Sequence, residues 1–399
     1  MKDRLIIGTC NGTDRDYGIV VADCKEKMIL NMYKGDNAGI LCLSHDGKYL
    51  YAANESRDFR GKGSGGGISS YRIVKDGLEP VNESLSFGSR PAYLTMTYDD
   101  RFLIVANHGS HSSVTIRYKF SEGRFEHQLE HDISNIAVFS INKDGSIGEC
   151  TDIMEFFGHG YFIHEGGQSV SHIHCLKVRG DGLIIACDRG RDKLIVLRTD
   201  DEGKLSMCCE KDMPKGYAPR YIEFSKEEDI AYICFENYPY VGVYQINDQD
   251  ELLEKQLIMT MPEQYYEMFP TPEFTKEVCD ENEVVRSPIK AKETVLCSDI
   301  HLNKEGNRLY VANRWFKNGE ASICVFIVHQ DGLLEYERSI PFECHDIRNF
   351  LIGEDDKTLY VSLTDKGKIL KIALGSKDKE SVTSETVLEV EKPSSIIQI

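Results

Sequence analysis

The stretch SHDGKYLYAANE, residues 44–55, reads as the end of one strand, a turn at Asp46 and Gly47, and a second strand rich in aromatic and apolar residues. It recurs along the chain as TYDDRFLIVANHG (97–109), RGDGLIIACDRG (179–190), SKEEDIAYICFEN (225–237), NKEGNRLYVANRW (303–315) and GEDDKTLYVSLTD (353–365). A further copy, RLIIGTCNG (4–12), lacks its front half, and EKPSSIIQI (391–399) at the other end has the character of that missing half. Repeats of this kind outrank any local motif in deciding the fold.

After each copy comes a second strand pair around a polar turn, for example GGISSYRIVKDGLEPV, NIAVFSINKDGSIGE and SICVFIVHQDGLLEYERS. Each unit therefore holds four strands, and four-stranded units of about 40–50 residues are propeller blades. The expectation is an all-β, seven-bladed β-propeller of antiparallel blades, a single domain over residues 1–399, closed by the two termini sharing one blade. Two sandwiches in tandem would need a linker, and the repeat runs through the middle of the chain without one. Two stretches exceed the repeat: an extra hairpin near 110–136, and a long insert near 261–297 that reads as a lid over one mouth or as a surface loop.

With 65 acidic against 47 basic residues the net charge is −18, which disfavours nucleic acid and anionic lipid as partners. An anionic ligand would need a local cluster of arginines. No apolar run is long enough to span a bilayer, and MKDRLIIGTCNG reads as a first strand rather than a signal peptide. Thirteen cysteines without a C-x-x-C pair fit a reducing compartment, so the expected location is cytoplasmic.

In a four-stranded meander the start of the innermost strand and the end of the second lie at the same mouth of the ring. Counting back eight residues from each turn gives Gly39, Ala92, His174, Arg220, Ser298 and Arg348 as channel positions. The ends of the second strands add Glu55, His108, Asp188 with Arg189, Glu236, Arg314 and Thr364. His172 and His174, two apart on a strand, are expected to share one face. Arginines gathered at one opening of an acidic protein suit a carboxylate or phosphate; a purely structural ring of ion pairs is the alternative.

Other signals are weaker. GKGSGGG (61–67) lacks the GK[ST] ending of a phosphate loop, HEGG at His164 lacks the second histidine of a zinc helix, and no G-x-S-x-G elbow occurs. His159, His164, His172 and His174 fall at spacings unsuited to a metal. No metal and no cofactor is expected.

The segments IIGTCNG…YGIVVADC, VFSINKDGSIGE, SHIHCLKV, YAPRYIEF with AYICFEN, SDIHLNKEGNRLYVANR and IRNFLIG, taken in order, resemble the lactonase family of seven-bladed propellers. That family includes bacterial 6-phosphogluconolactonases and fungal 3-carboxy-cis,cis-muconate lactonizing enzymes. The resemblance places the family's histidine on His174, its G-P-R-H arginine on Arg220, its N-E glutamate on Glu236 and its late N-R arginine on Arg314. Tyr221 stands in place of the G-P-R-H histidine, and Phe235 in place of the N-E asparagine. It implies hydrolysis of an anionic small-molecule lactone, with His174 or Glu236 as base and Arg220 stabilising the oxyanion. His172, Arg314, Arg348, Asp299, His301, Glu55 and Asp188 complete the site as substrate-binding candidates. A cycloisomerase acting on an unsaturated diacid and a non-catalytic binding propeller remain as alternatives.

Overall fold

The computed structural model describes residues 4–10, 18–35, 37–61, 65–109, 114–121, 123–161, 167–268, 295–315, 319–374 and 383–399. Among them the chain forms seven four-stranded antiparallel sheets and one added two-stranded hairpin, without an α-helix. The inner strands of blades 2 to 7 are Ala38–Leu43, Pro91–Met96, Ile173–Val178, Pro219–Phe224, Val295–Leu302 and Ile347–Ile352. That of blade 1 is Pro393–Gln398, which pairs antiparallel with Arg4–Thr9. The two chain ends thus complete one sheet, and the ring has no open edge between its first and last blades.

The repeated turn explains why the strands begin where they do. In all six copies the residue at the second turn position has a left-handed backbone: Gly47, Asp100, Gly182, Glu228, Gly306 and Asp356, with φ between 53 and 86°. Its N–H donates to the carbonyl three residues earlier, at 2.9 Å in every copy. Glycine meets that requirement without strain, and Asp or Glu accepts it at modest cost. The second strands that follow, such as Phe102–Asn107, Leu183–Asp188 and Ile230–Phe235, are buried along their whole length. Seven apolar clusters, each joining neighbouring blades, form the core, while an outermost strand such as Met28–Lys34 is largely exposed.

The extra hairpin is present as Val114–Ser121 paired with Arg124–His131, inserted between the second and third strands of blade 3. The long insert contributes a short 3-10 turn at Glu263–Met268, and the rest of it lies outside the described residues. Of the glycine-rich run, Gly65 has φ 99° and a Cβ at Gly67 would collide with the Phe59 ring. Tight packing accounts for these two glycines.

Candidate active site

Two registers bring side chains to one mouth. The first is a β-bulge in every inner strand: pairing with the second strand skips Gly39, Ala92, His174, Arg220, Ser298, Arg348 and, in blade 1, Ser394. A bulge leaves its extra residue unpaired and re-aims it. The second register follows the second strand, where a backbone N–H is pinned by the carbonyl two residues before the bulge. Glu55 bonds Asn37 (2.9 Å), His108 bonds Arg90 (3.0 Å), Arg189 bonds His172 (3.1 Å), Glu236 bonds Ala218 (2.8 Å), Thr364 bonds Asp346 (2.9 Å) and Cys10 bonds Lys392 (3.2 Å). In blade 6 the strand runs longer, and Arg314 takes this place opposite Leu296.

This register corrects the placement of Asp188. It is the strand residue equivalent to Asn54 and Asn107 and is fully buried. Its carboxylate accepts from Ser171 Oγ (2.6 Å), His172 N (2.9 Å), Gly190 N (3.1 Å), Arg191 N (3.1 Å) and Arg191 Nε (2.5 Å). With its lone pairs committed to the adjoining loop, it is not among the groups facing the mouth; Arg189 is.

Glu236 is the centre of the cluster. Its Oε2 lies 2.7 Å from Arg189 Nε and 3.5 Å from Arg220 Nε, and Arg314 Nη2 donates to its Oε1 at 3.1 Å. Burial pushes the carboxyl pKa up, but the three guanidinium groups outweigh it and hold it well below the ordinary range. Arg220, nearly fully buried, also donates Nη1 to the Ser298 carbonyl and lies over the Tyr221 ring at 4.7 Å. It is more buried than Arg189 and Arg314. Arg348 is the more open arginine; its Nη2 donates to Glu55 Oε2 at 3.0 Å, and Cys10 Sγ donates to the same oxygen at 3.3 Å. Gly39 makes room for that carboxylate, since a Cβ there would lie 2.7 Å from Glu55 Oε2.

The two histidines meet a third. His108 stacks on His172 with ring centroids 4.4 Å apart and meets His174 edge-on at 5.6 Å. His172 is fully buried, and its Nδ1 lies 2.8 Å from the His108 carbonyl, which fixes Nδ1–H as the tautomer. Burial lowers its pKa to about 4. His174 packs on Tyr221 at 5.3 Å, and its buried Nδ1 has no hydrogen-bond partner among the described residues. Burial, with Arg220 next in weight, keeps its pKa well below 6.5, so the imidazole is neutral at neutral pH.

Asp299 and His301 lie elsewhere. Asp299 is buried and accepts from Asn349 Nδ2 (2.7 Å) and Phe350 N (3.1 Å), bracing blade 6 against blade 7. His301 is 3.1 Å from Asp299 and 3.8 Å from Glu223, which pairs in turn with Lys177. Burial pulls the His301 pKa down, yet the two carboxylates raise it to about 10. These residues form a charged layer one step further along the inner strands. His159 is exposed and, among the described residues, bonds its neighbour Gly160 O at 2.9 Å, and His164 lies outside the described residues.

A seven-bladed ring with a carboxylate, imidazoles and arginines gathered at one mouth defines the class: a propeller with a charged cluster at one opening. Over residues 4–397 the chain matches the family described as Lactonase, 7-bladed beta-propeller, and it belongs to that family. It is 24% identical over 336 residues to a 6-phosphogluconolactonase of Formosa agariphila, covering 82% of this chain and 78% of that protein. An uncharacterized protein of Lactococcus lactis is 25% identical over 205 residues, and the chain spans about half of that relative (52%). Among solved structures it resembles a periplasmic gluconolactonase of Pseudomonas aeruginosa, with 21% identity, TM-score 0.77 and coverage of 99% and 98% of the two chains. A protein from Lactobacillus plantarum is similar at 20% identity, TM-score 0.76 and full coverage of both chains. Those two likenesses concern the fold.

Proposed function

We propose that the protein hydrolyses the ester bond of an anionic sugar lactone, of the 6-phosphogluconolactone type, at the mouth that holds His174 and Glu236. The observation that carries this reading is the convergence of three guanidinium groups on one carboxylate beside a neutral imidazole. His174 takes the proton of water as it attacks the lactone carbonyl. Glu236, clamped by arginines, is a poor base, and its charge instead favours the imidazolium that forms. Arg314 and the deeper Arg220 supply positive charge where the oxyanion develops, and Arg348 receives the substrate's phosphate or carboxylate. Collapse of the tetrahedral intermediate breaks the ring C–O bond. His174 returns its proton to the leaving oxygen, and the product is the open hydroxy acid, whose carboxyl then ionises.

The same reading places the protein in the cytoplasm, a compartment that suits a chain of thirteen cysteines without a C-x-x-C pair. The test is a panel of sugar lactones with and without a phosphate, followed by proton release against the spontaneous rate. Accelerated opening of the phosphorylated members is expected. Spontaneous rates across the panel, or lactone formation from unsaturated diacids instead, overturn the proposal.

A further inference from the structure

The arginines need a scaffold, since long side chains lose rotamer freedom only where their backbone is fixed. Arg189, Arg220 and Glu236 come from different segments, yet one buried pair of polar side chains reaches all three. Gln168, fully buried, donates Nε2 to the Arg189 carbonyl at 2.9 Å and to Asp192 Oδ1 at 2.7 Å. The Asp192 carboxylate also accepts from Ala218 N (2.8 Å), Gly216 N (2.7 Å) and, at 3.4 Å, Tyr161 N.

Those contacts fall where the chain is under strain. Ala218 has φ 57°, a conformation disfavoured for a residue with a Cβ. Pro219 follows, and Arg220 is the bulge residue. The Ala218 carbonyl meanwhile accepts the Glu236 N–H at 2.8 Å. A carboxylate that takes both the Gly216 and Ala218 N–H groups therefore holds the turn from which Arg220 projects and the atom that pins Glu236.

We propose that Asp192, with Gln168, is a positioning residue for the Glu236–arginine cluster, acting through the 216–220 turn and the Arg189 backbone. It touches no substrate. Its role rests on the proposed function only for the activity readout, because arginine placement can be observed without a substrate.

The test is Asp192→Asn, which keeps the shape but turns one acceptor oxygen into an N–H donor facing backbone N–H groups. In arginine-labelled full-length protein, the Nε–H nuclear magnetic resonances of Arg189 and Arg220 are expected to shift or broaden; unchanged resonances overturn the inference even where no lactone is turned over. With an active wild type, kcat/KM is expected to fall by about 10–100-fold, the size of a mispositioned site. In an Arg220→Lys background the same change is expected to add little, since both act through one group. Losses that simply multiply make Asp192 a structural residue and overturn the inference. Should Asp192→Asn fail to fold, Gln168→Leu supplies the second reading: it removes the donor to the Arg189 carbonyl and to Asp192, the Arg189 resonance is expected to move, and an unmoved Arg189 resonance overturns the inference.

Discussion

Replacing Glu236 with glutamine tests the site at its centre. At an effective dielectric of about 20, contacts of the length seen to Arg189, Arg314 and Arg220 are each worth roughly 5–6 kcal/mol of gross attraction. Repulsion among the guanidinium groups and their desolvation consume much of this. The net cost of removing one partner from a buried ion cluster is about 3–5 kcal/mol. For a chain of this length that is a drop in Tm of about 4–6 °C. Inorganic phosphate should restore part of it, because the anion can take the place of the lost carboxylate between the arginines, and it should raise the variant's Tm more than the wild type's. Thermal melts at graded phosphate, with sodium chloride as the ionic-strength control, measure both effects. Turnover should fall by about 100-fold while the imidazole limb of the pH–rate profile survives and moves to lower pH, since Glu236 raises the His174 pKa. A variant that melts with the wild type and gains nothing from phosphate refutes the cluster, and loss of the limb itself transfers the base to Glu236.

Three further outcomes are expected. His174→Asn should cut kcat by about two orders of magnitude or more and abolish that limb, with phosphate binding retained in calorimetry; normal turnover removes His174 from the chemistry. Gly39→Ala should push the Glu55 carboxylate off Arg348, and the freed arginine should lower KM for a phosphorylated lactone severalfold at low salt and little at high salt, with a stability change below about 1 kcal/mol. His172, with a folded pKa of about 4 against about 6.5 when unfolded, stabilises the protein fully above pH 6.5, and up to about 3 kcal/mol is lost as pH falls towards 4. His301, with a folded pKa of about 10, acts in the opposite sense: its contribution is complete below pH 6.5 and fades as pH rises towards 10. Urea melts of His172→Asn and His301→Asn across pH 4–10 should flatten opposite sides of the stability curve.

The fold was legible in the sequence because one turn carries it. Asp-Gly, Asp-Asp and Glu-Glu all serve a position whose backbone is left-handed, and the strand after it is apolar throughout, so the repeat survives heavy substitution. The main cluster was legible for the same reason: residues counted from that turn reach His174, Arg220 and Arg348, and the far end of the second strand reaches Glu236 and Arg314. Asp188 was misplaced where two adjacent charged residues end a strand, since only the ladder shows that Asp188 pairs with Ile173 while Arg189 passes beyond it. Asp192 and Gln168 left no periodic signal, because their partners are backbone groups about two dozen residues away in sequence.

What pattern reading could not supply is the change of parity at the bulge. Alternation puts residues i and i+2 on one face of a strand, and on that rule His172 and His174 are companions. The extra residue breaks the rule at the position where the site is built. Beyond it, the residue three places on takes the same direction: Lys177 follows His174, Glu223 follows Arg220, and His301 follows Ser298. These three meet in one layer, joined by the Lys177–Glu223 pair and by Glu223 lying 3.8 Å from His301. One irregularity, repeated seven times, thus separates two sets of charges that the sequence interleaves: one gathered around Glu236, and one that joins Lys177, Glu223 and His301. His301 falls in the second set by this register, and the carboxylates it meets there keep it protonated at neutral pH, which denies it the role of base proposed for the neutral His174.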